Sequence, residues 1–178
     1  MKDSPTGHLL GKALERRTHK KRSGGYLASA WIPVGFCILV IAAESTPYFG
    51  ADHTSGPLRH FCEFFFGPFT HPQWWRIHIL IRKWGHFTGY GFLSVAWFRA
   101  FWMTWRTWVL PVRRQWSAHG LAMLGTLAVA SADELHQLFL PNRTGSAWDV
   151  ALDCCGGLVM QLLVGVWMEQ RLKGSRYR

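Results

Sequence analysis

The feature that most constrains this chain is a run of 18 residues without a charge, from Tyr26 to Ala43, which follows a strongly basic N-terminal segment. A helix that crosses the hydrocarbon core of a bilayer needs about 20 predominantly apolar residues. The run is longer than the apolar region of a usual signal peptide, and Ala42-Ala43 is a poor cleavage mark. It therefore predicts an uncleaved first transmembrane helix.

Three later segments are apolar apart from a few polar residues: 84–103, 117–140 and 150–168. The first two of these reach spanning length only if they include the charged motifs at their edges, which places those motifs at the membrane boundary. We therefore predict an all-α integral membrane protein, built as a four-helix transmembrane bundle.

The distribution of basic residues predicts the orientation of the bundle. Residues 1–25 hold seven Lys or Arg, the connection between the second and third segments holds four, and residues 171–178 hold four, against five on the opposite side. Because cytoplasmic loops carry the excess of Lys and Arg, both termini are predicted to be cytoplasmic basic tails around a membrane domain at 26–170. The formal net charge is +10. Its placement beside apolar runs favours anionic lipid headgroups as partners and argues against nucleic acid.

The connection between the first two segments, residues 44–83, is predicted to be extracytoplasmic. The stretch Leu58–Phe66 is too apolar and aromatic for a simple linker, and Pro72 is placed to open a short helix that carries Trp74 and Trp75. Segments of this kind often lie on a membrane surface. We predict an amphipathic, interfacial segment that serves either as an anchor or as a lid.

Three polar clusters lie at the segment edges, and the predicted topology places all of them on the extracytoplasmic face. An ionised residue at a helix centre costs about 2.5–3.5 kcal/mol, so several such groups must face one another or a wet cavity rather than lipid. The spacing i, i+3, i+7 puts the first set on one helical face. The sets are Lys83, His86 and Tyr90; Asp133, Glu134 and Gln137, followed by Arg143; and Asp149 with Asp153.

A purely structural salt-bridge network, for instance Lys83 with Glu134 and Arg143 with Asp149, is one explanation of these clusters. The charge count argues against it, because two basic residues face four carboxylates. The surplus indicates protonated carboxylates, a bound cation, or acids and bases held for chemistry. Asp149 alone has a simpler alternative as a helix cap, and Gly156, Gly157 and Gly165 are expected to allow close helix packing.

At these residues the chain resembles the VanZ-like family, small polytopic membrane proteins named for a teicoplanin-resistance protein. The resemblance implies a place in the bacterial cytoplasmic membrane and, for some members, lowered susceptibility to teicoplanin-type glycopeptides. It implies no agreed reaction. Asp153 stands where the family more often has Asn. The resemblance covers about residues 34–165 and rests on Lys83-x-x-His86-x-x-x-Tyr90, Asp133-Glu134-x-His136-Gln137-x-Phe139-x-Pro141-x-Arg143-x-Gly145-Ser146, Asp149-Val150 and Gly156-Gly157.

The first functional hypothesis is an enzyme that acts on a lipid or lipid-linked envelope precursor with an anionic headgroup. His86 and Glu134 are the candidate general acid and base, and Asp149 would orient the histidine. A divalent cation is a possible cofactor, since a hard ion prefers oxygen ligands. The candidate headgroup-binding residues are Lys83, Tyr90, Gln137 and Arg143, and the candidate cation ligands are Asp133, Glu134, Asp149 and Asp153.

Two other functions fit the same clusters. One is a non-catalytic binding or accessory protein for a cell-wall precursor or a glycopeptide. The other is a small proton-coupled transporter, which is disfavoured because the motif charges lie on one side and four segments are few for transport. Loss of turnover with retained binding, after a change such as Glu134→Gln, would separate an enzyme from a binder.

Overall fold

The computed structural model is all-α and describes residues 5–105, 111–140 and 145–176, with side chains described from Gly25 to Lys173 except at 51–52, 106–113, 141–144 and 172. Five α-helices and one short 3-10 helix follow in sequence. They are α1 (Pro5–Glu44), a 3-10 turn (Pro47–Phe49), α2 (Ala51–Phe66), α3 (His71–Thr104), α4 (Pro111–Gln137) and α5 (Ala147–Arg176).

Helix α3 lies at the centre of the structure and packs against α1, α4 and α5. Its buried face repeats every three or four residues, at Tyr90, Leu93, Ala96 and Ala100, as expected of a helix with one face in the core. Side chains of α1 and α4, including Val34 and Ala130, complete this core. The central position of α3 brings its polar residues within reach of the three other long helices.

Two helices contain segments that are long and apolar enough to cross a membrane, Gly25–Glu44 in α1 and Ala147–Arg171 in α5. Helices α3 and α4, with 34 and 27 residues, are long enough at about 1.5 Å per residue but less apolar. Large apolar side chains point outward on all four helices. Examples are Phe36, Leu39, Phe92, Leu124, Leu162 and Val166.

The helix predicted to open at Pro72 begins at His71 and runs without interruption through the second predicted segment to Thr104. A capping box starts it, in which the Thr70 amide donates to Gln73 Oε1 at 2.9 Å. The short interfacial helix and the second segment are therefore one element. Lys83 lies in the middle of a helix rather than at a helix start.

Glycines allow α3 and α5 to approach closely, as predicted for Gly156 and Gly157. A Cβ atom at Gly156 would collide with the Phe87 carbonyl oxygen, and one at Gly157 would lie 3.2 Å from the Thr126 methyl group. Gly165 differs from them, because a Cβ there meets nothing within 4 Å. The prediction of close packing is thus confirmed at the first two glycines and wrong at the third.

In addition to the polar residues at the helix edges, a group of polar side chains lies where α3, α4 and α5 meet. We call Ser94, His119 and Gln161 the Gln161 cluster. Gln161 Nε2 donates to the Ser94 hydroxyl at 2.7 Å and to its carbonyl at 2.9 Å, and Gln161 Oε1 lies 2.5 Å from His119 Nδ1. Phe98 stacks on the His119 ring at 4.4 Å between centroids. These hydrogen bonds connect three helices through their polar side chains.

Candidate functional site

Two residues of α3 face two carboxylates of α5 in matching register. Lys83 Nζ lies 3.5 Å from Asp149 Oδ1, and His86 Nδ1 lies 3.5 Å from Asp153 Oδ1. A spacing of three residues on one helix thus meets a spacing of four on the other, since both place side chains on one face. The residue beside the histidine is Asp153, whereas Asp149 is beside the lysine. The sequence predicted Asp149 for the role of orienting His86, and the geometry favours Asp153.

Asp133 of α4 is buried and hydrogen-bonded from three directions. The Tyr90 hydroxyl donates to its Oδ2 at 3.1 Å, Gln137 Nε2 donates to the same atom at 3.2 Å, and the Ser45 hydroxyl donates to Oδ1. Three donors satisfy much of the hydrogen-bonding capacity of this buried carboxyl group. Asp133 therefore joins α3 and α4 to the residue that follows α1, and its partners are Ser45, Tyr90 and Gln137.

Glu134, also buried, accepts a hydrogen bond from the Ser146 backbone amide at 2.7 Å. The Ser146 hydroxyl in turn accepts the amide of Trp148 at 3.2 Å, so that Ser146 caps the start of α5. Asp149 lies in the first turn of α5, where the helix dipole favours a carboxylate, but the capping residue is Ser146. This turn holds Glu134 close to the start of α5.

His86, Glu134 and Asp153 form what we call the carboxylate triad. Each of the three has one nitrogen or oxygen atom within 4.8 Å of the corresponding atoms of the other two. Asp153 is fully buried, yet neither of its oxygens has a hydrogen-bond partner among the described residues, and the same holds for His86 Nδ1. His86 Nδ1 and Asp153 Oδ1 lie 3.5 Å apart, at ion-pair rather than hydrogen-bond distance. A buried carboxylate without hydrogen bonds is costly, so this arrangement favours a proton or a bound group between these atoms.

Three cavities share Glu44 and Gly85 in their linings, and His86 lines two of the three. The smallest, of about 20 Å³, is lined by Tyr90, Asp133 and Gln137 and has room for about one water molecule. The second, of about 170 Å³, lies under α2 and is lined by Thr54, His78, Arg82 and His86. The third is an apolar groove of about 570 Å³ between α1 and α3, which ends at Arg99. Its apolar lining includes Phe36, Val40, Phe92 and Val95.

The structure brings most of the predicted site residues into one region. Arg143 lies outside the described residues. Lys83 pairs with Asp149 and not with Glu134, the pairing considered in the salt-bridge alternative. Of the four predicted cation ligands, Glu134 and Asp153 belong to the triad, while Asp133 has its three donors and Asp149 has Lys83.

The sequence reasoning missed several residues that shape the site. Ser45 follows α1 and hydrogen-bonds Asp133, and Arg82, next to Lys83, lines the cavity under α2 and donates to the Phe49 carbonyl at 3.1 Å. Gly85 and Gly89 line both the groove and the smallest cavity. Their spacing of four residues, which leaves a shallow strip on one helical face, was a readable signal in the sequence.

The helices, the outward apolar side chains and the polar site at helix edges define an α-helical membrane protein. The sequence model of the VanZ/LLP1 family matches residues 24–168, which is most of the 178-residue chain. The chain therefore belongs to the VanZ/LLP1 family, and the resemblance found from the sequence is confirmed. No curated protein and no solved structure matches the chain.

Proposed function

We propose that this protein is a four-span protein of the bacterial cytoplasmic membrane that binds an anionic lipid or lipid-linked envelope precursor and acts on its headgroup. The junction of the three cavities carries the proposal. An apolar groove between α1 and α3 leads directly to a polar space beside His86, with Glu44 and Gly85 at the junction. This combination fits an amphiphile with its chain in the groove and its headgroup in the polar space.

Helix lengths and charges support the proposed topology. The basic excess lies at the ends of the chain and between α3 and α4, so both termini are cytoplasmic and the triad is extracytoplasmic. Helix α2 carries Phe61, Phe64, Phe65 and Phe66 on its exposed surface, which fits an interfacial helix. Trp74 Nε1 donates to Ser55 Oγ at 2.7 Å and fixes α2 against α3. A reporter fused after Arg143 should therefore give an extracytoplasmic signal, and a cytoplasmic signal would contradict this topology.

Arg82 is the described cation best placed for an anionic headgroup, because it lines the cavity under α2. His78 shares that cavity and stacks on Trp74. Burial, together with the charge of Arg82, lowers the pKa of the His78 imidazole, so His78 contributes a neutral polar group. Arg82 supplies the charge-assisted contacts that an anionic group prefers, and Lys83, Tyr90, Gln137 and Arg143 stay candidates for this role.

The proposed reaction is hydrolysis or transfer by an activated water molecule. For a phosphate ester headgroup, the water gives a proton to the site, its oxygen bonds to phosphorus, and the bond to the leaving oxygen breaks as that oxygen takes up a proton. His86, Glu134 and Asp153 are the residues proposed to activate the water, and Asp149 positions Lys83. A non-catalytic binder would use the same groove and cavities without this step.

The test is to fill the junction without disturbing the fold. A Cβ at Gly89 meets nothing within 4 Å, so Gly89→Leu should fold and project into the groove. Gly120→Leu is the matched control, because Gly120 also has open space and lies outside these cavities. Each variant is purified in lipid nanodiscs, and bound lipid is identified by native mass spectrometry.

We expect the unchanged protein and Gly120→Leu to retain phosphatidic acid, phosphatidylglycerol or polyprenyl phosphate over phosphatidylcholine, and Gly89→Leu to lose that lipid at least tenfold. Arg82→Gln should reduce the preference for anionic over zwitterionic lipid. Equal retention by both glycine variants would overturn the proposed groove. Tight binding with no product from a panel of envelope lipids would overturn the catalytic part and leave the binder.

A further inference from the structure

We infer that His86, Glu134 and Asp153 together bind one divalent transition-metal ion, Mn²⁺ or Zn²⁺. Three helices supply the three residues, α3, α4 and α5, and their nitrogen and oxygen atoms lie within 4.8 Å of one another. Metal binding itself is independent of the proposed function, and the catalytic part of this inference rests on it.

Three buried atoms of the triad lack hydrogen bonds within the described part of the chain. Asp153 has zero exposure, and both of its oxygens and His86 Nδ1 lack hydrogen-bond partners among the residues that the structure describes. Buried carboxylates are normally paired or bound to a metal. His86 Nδ1 and Asp153 Oδ1 lie 3.5 Å apart, and Glu134 has an oxygen within 4.8 Å of a ligand atom of each residue.

The separation of His86 Nδ1 and Asp153 Oδ1 also fits a shared ion. At 3.5 Å it is longer than an ordinary hydrogen bond of about 2.7–3.2 Å. Two atoms that each lie about 2.1 Å from one ion in a tetrahedral arrangement are about 3.4 Å apart. The observed separation therefore fits two ligands of a shared ion better than a direct hydrogen bond.

Neighbouring groups hold the ligands in place and set their total charge. One oxygen of Glu134 is held by the Ser146 amide at 2.7 Å, which orients the carboxylate and leaves its other oxygen available. Hydrogen bonds of this kind commonly orient metal ligands. Two carboxylates and a neutral imidazole give a charge of −2, so a divalent ion makes the group neutral, which lowers the cost of burying it.

The ligand types select the class of ion. An imidazole favours Zn²⁺ and other transition metals, and carboxylates favour Mn²⁺, Mg²⁺ and Ca²⁺. One nitrogen with two carboxylates therefore points to Mn²⁺ or Zn²⁺. Bound beside the small cavity, such an ion would lower the pKa of a coordinated water molecule and thus generate the nucleophile of the proposed reaction.

The experiment measures metal binding without lipid or activity. The tag-free full chain is stripped with EDTA and titrated with Mn²⁺, followed by electron paramagnetic resonance, and with Zn²⁺ against a fluorescent chelator. We expect saturation at about one ion per chain for one of the two. Asp153→Asn and His86→Gln should each weaken binding at least tenfold, an effect as large as the loss of a supporting residue.

Asp149→Asn is the matched control, since it removes the same charge one helical turn away, beside Lys83 and outside the triad. Its affinity should stay within about twofold of the unchanged protein, and thermal melting of the metal-free variants checks their folding. Absence of a saturable site, or equal affinity after Asp153→Asn, overturns the inference. Gly89→Leu should lose lipid and keep the metal, so failure of the lipid proposal and failure of the metal proposal are distinguishable.

Discussion

The carboxylate triad and the Gln161 cluster are built from the same three helices and differ in how far their polar groups are paired. Asp153 and Gln161 are eight residues apart on α5, about 12 Å along the helix. In the Gln161 cluster the amide nitrogen and oxygen both have partners within 2.9 Å. In the triad, neither oxygen of Asp153 has a hydrogen-bond partner among the described residues. Paired polar groups serve structure, and unpaired ones are retained at a cost that function explains.

The largest loss of stability is expected at Gly156, where α5 packs closely against α3. Gly156→Leu places a side chain against the Phe87 carbonyl. Overpacking costs about 1–3 kcal/mol and occasionally more, and the upper end is expected here because the neighbour is backbone. The variant should yield little folded protein by size-exclusion chromatography in detergent. Gly165→Leu on the same helix has open space and should elute like the unchanged protein. Normal yield of Gly156→Leu would contradict the close α3–α5 contact.

A smaller loss of stability is expected when the Gln161 cluster is disrupted. Gln161→Leu leaves the Ser94 hydroxyl and His119 without their partner, and hydrogen bonds across membrane helices contribute about 1–2 kcal/mol. The free energy of unfolding, measured with denaturant in mixed micelles, should fall by about that amount. Metal and lipid binding should stay unchanged, because the cluster is about 12 Å from the triad. If Gln161→Leu lost metal or lipid binding and kept its stability, the Gln161 cluster would be a functional site and not a structural one.

At the triad we expect the opposite effect, a gain in stability. His86→Leu and Asp153→Leu together replace the buried pair, whose atoms lie 3.5 Å apart, with apolar side chains, and replacing a whole buried pair in this way often stabilises by about 1 kcal/mol or more. The metal-free protein should therefore melt at a higher temperature while the affinity for the ion is lost. A fall in stability like that of Gln161→Leu would mean that His86 and Asp153 are structural residues.

The smallest effect is expected at the half-exposed pair of Lys83 and Asp149. The lysine side chain is 52% exposed, and exposed ion pairs contribute about 0–1 kcal/mol. Lys83→Met should change the free energy of unfolding by less than about 0.5 kcal/mol. A loss of several kcal/mol would contradict the exposed position of this pair.

Helical periodicity and charge placement made part of this architecture predictable. The 18-residue apolar run predicted the spanning part of α1, and the spacing of His86 from Tyr90 predicted one face of α3. The family and the polar residues at the helix edges were also readable. The continuous α3 was not, because Pro72 signals a helix start but cannot indicate how far the helix extends.

The pairing of side chains could not be predicted from spacing. Asp149 and Asp153 occupy the same face of α5, and the sequence offers no means to decide which of them meets His86. The register of α5 against α3 decides it, and close packing supports that register, with Gly156 against the Phe87 backbone and Gly157 against the Ser94 and Thr126 side chains. Gly165 follows them in the sequence but makes no such contact, so its residue type alone was misleading.

The sequence by itself determined the class of protein, its apolar helices and the set of polar residues at their edges, because hydropathy and charge patterns are local properties of the chain. Only the tertiary structure decided which carboxylates are satisfied and which are not. Asp133 has three donors and Asp153 has none among the described residues. That difference depends on neighbours from other helices, and their approach is fixed by packing rather than by sequence distance.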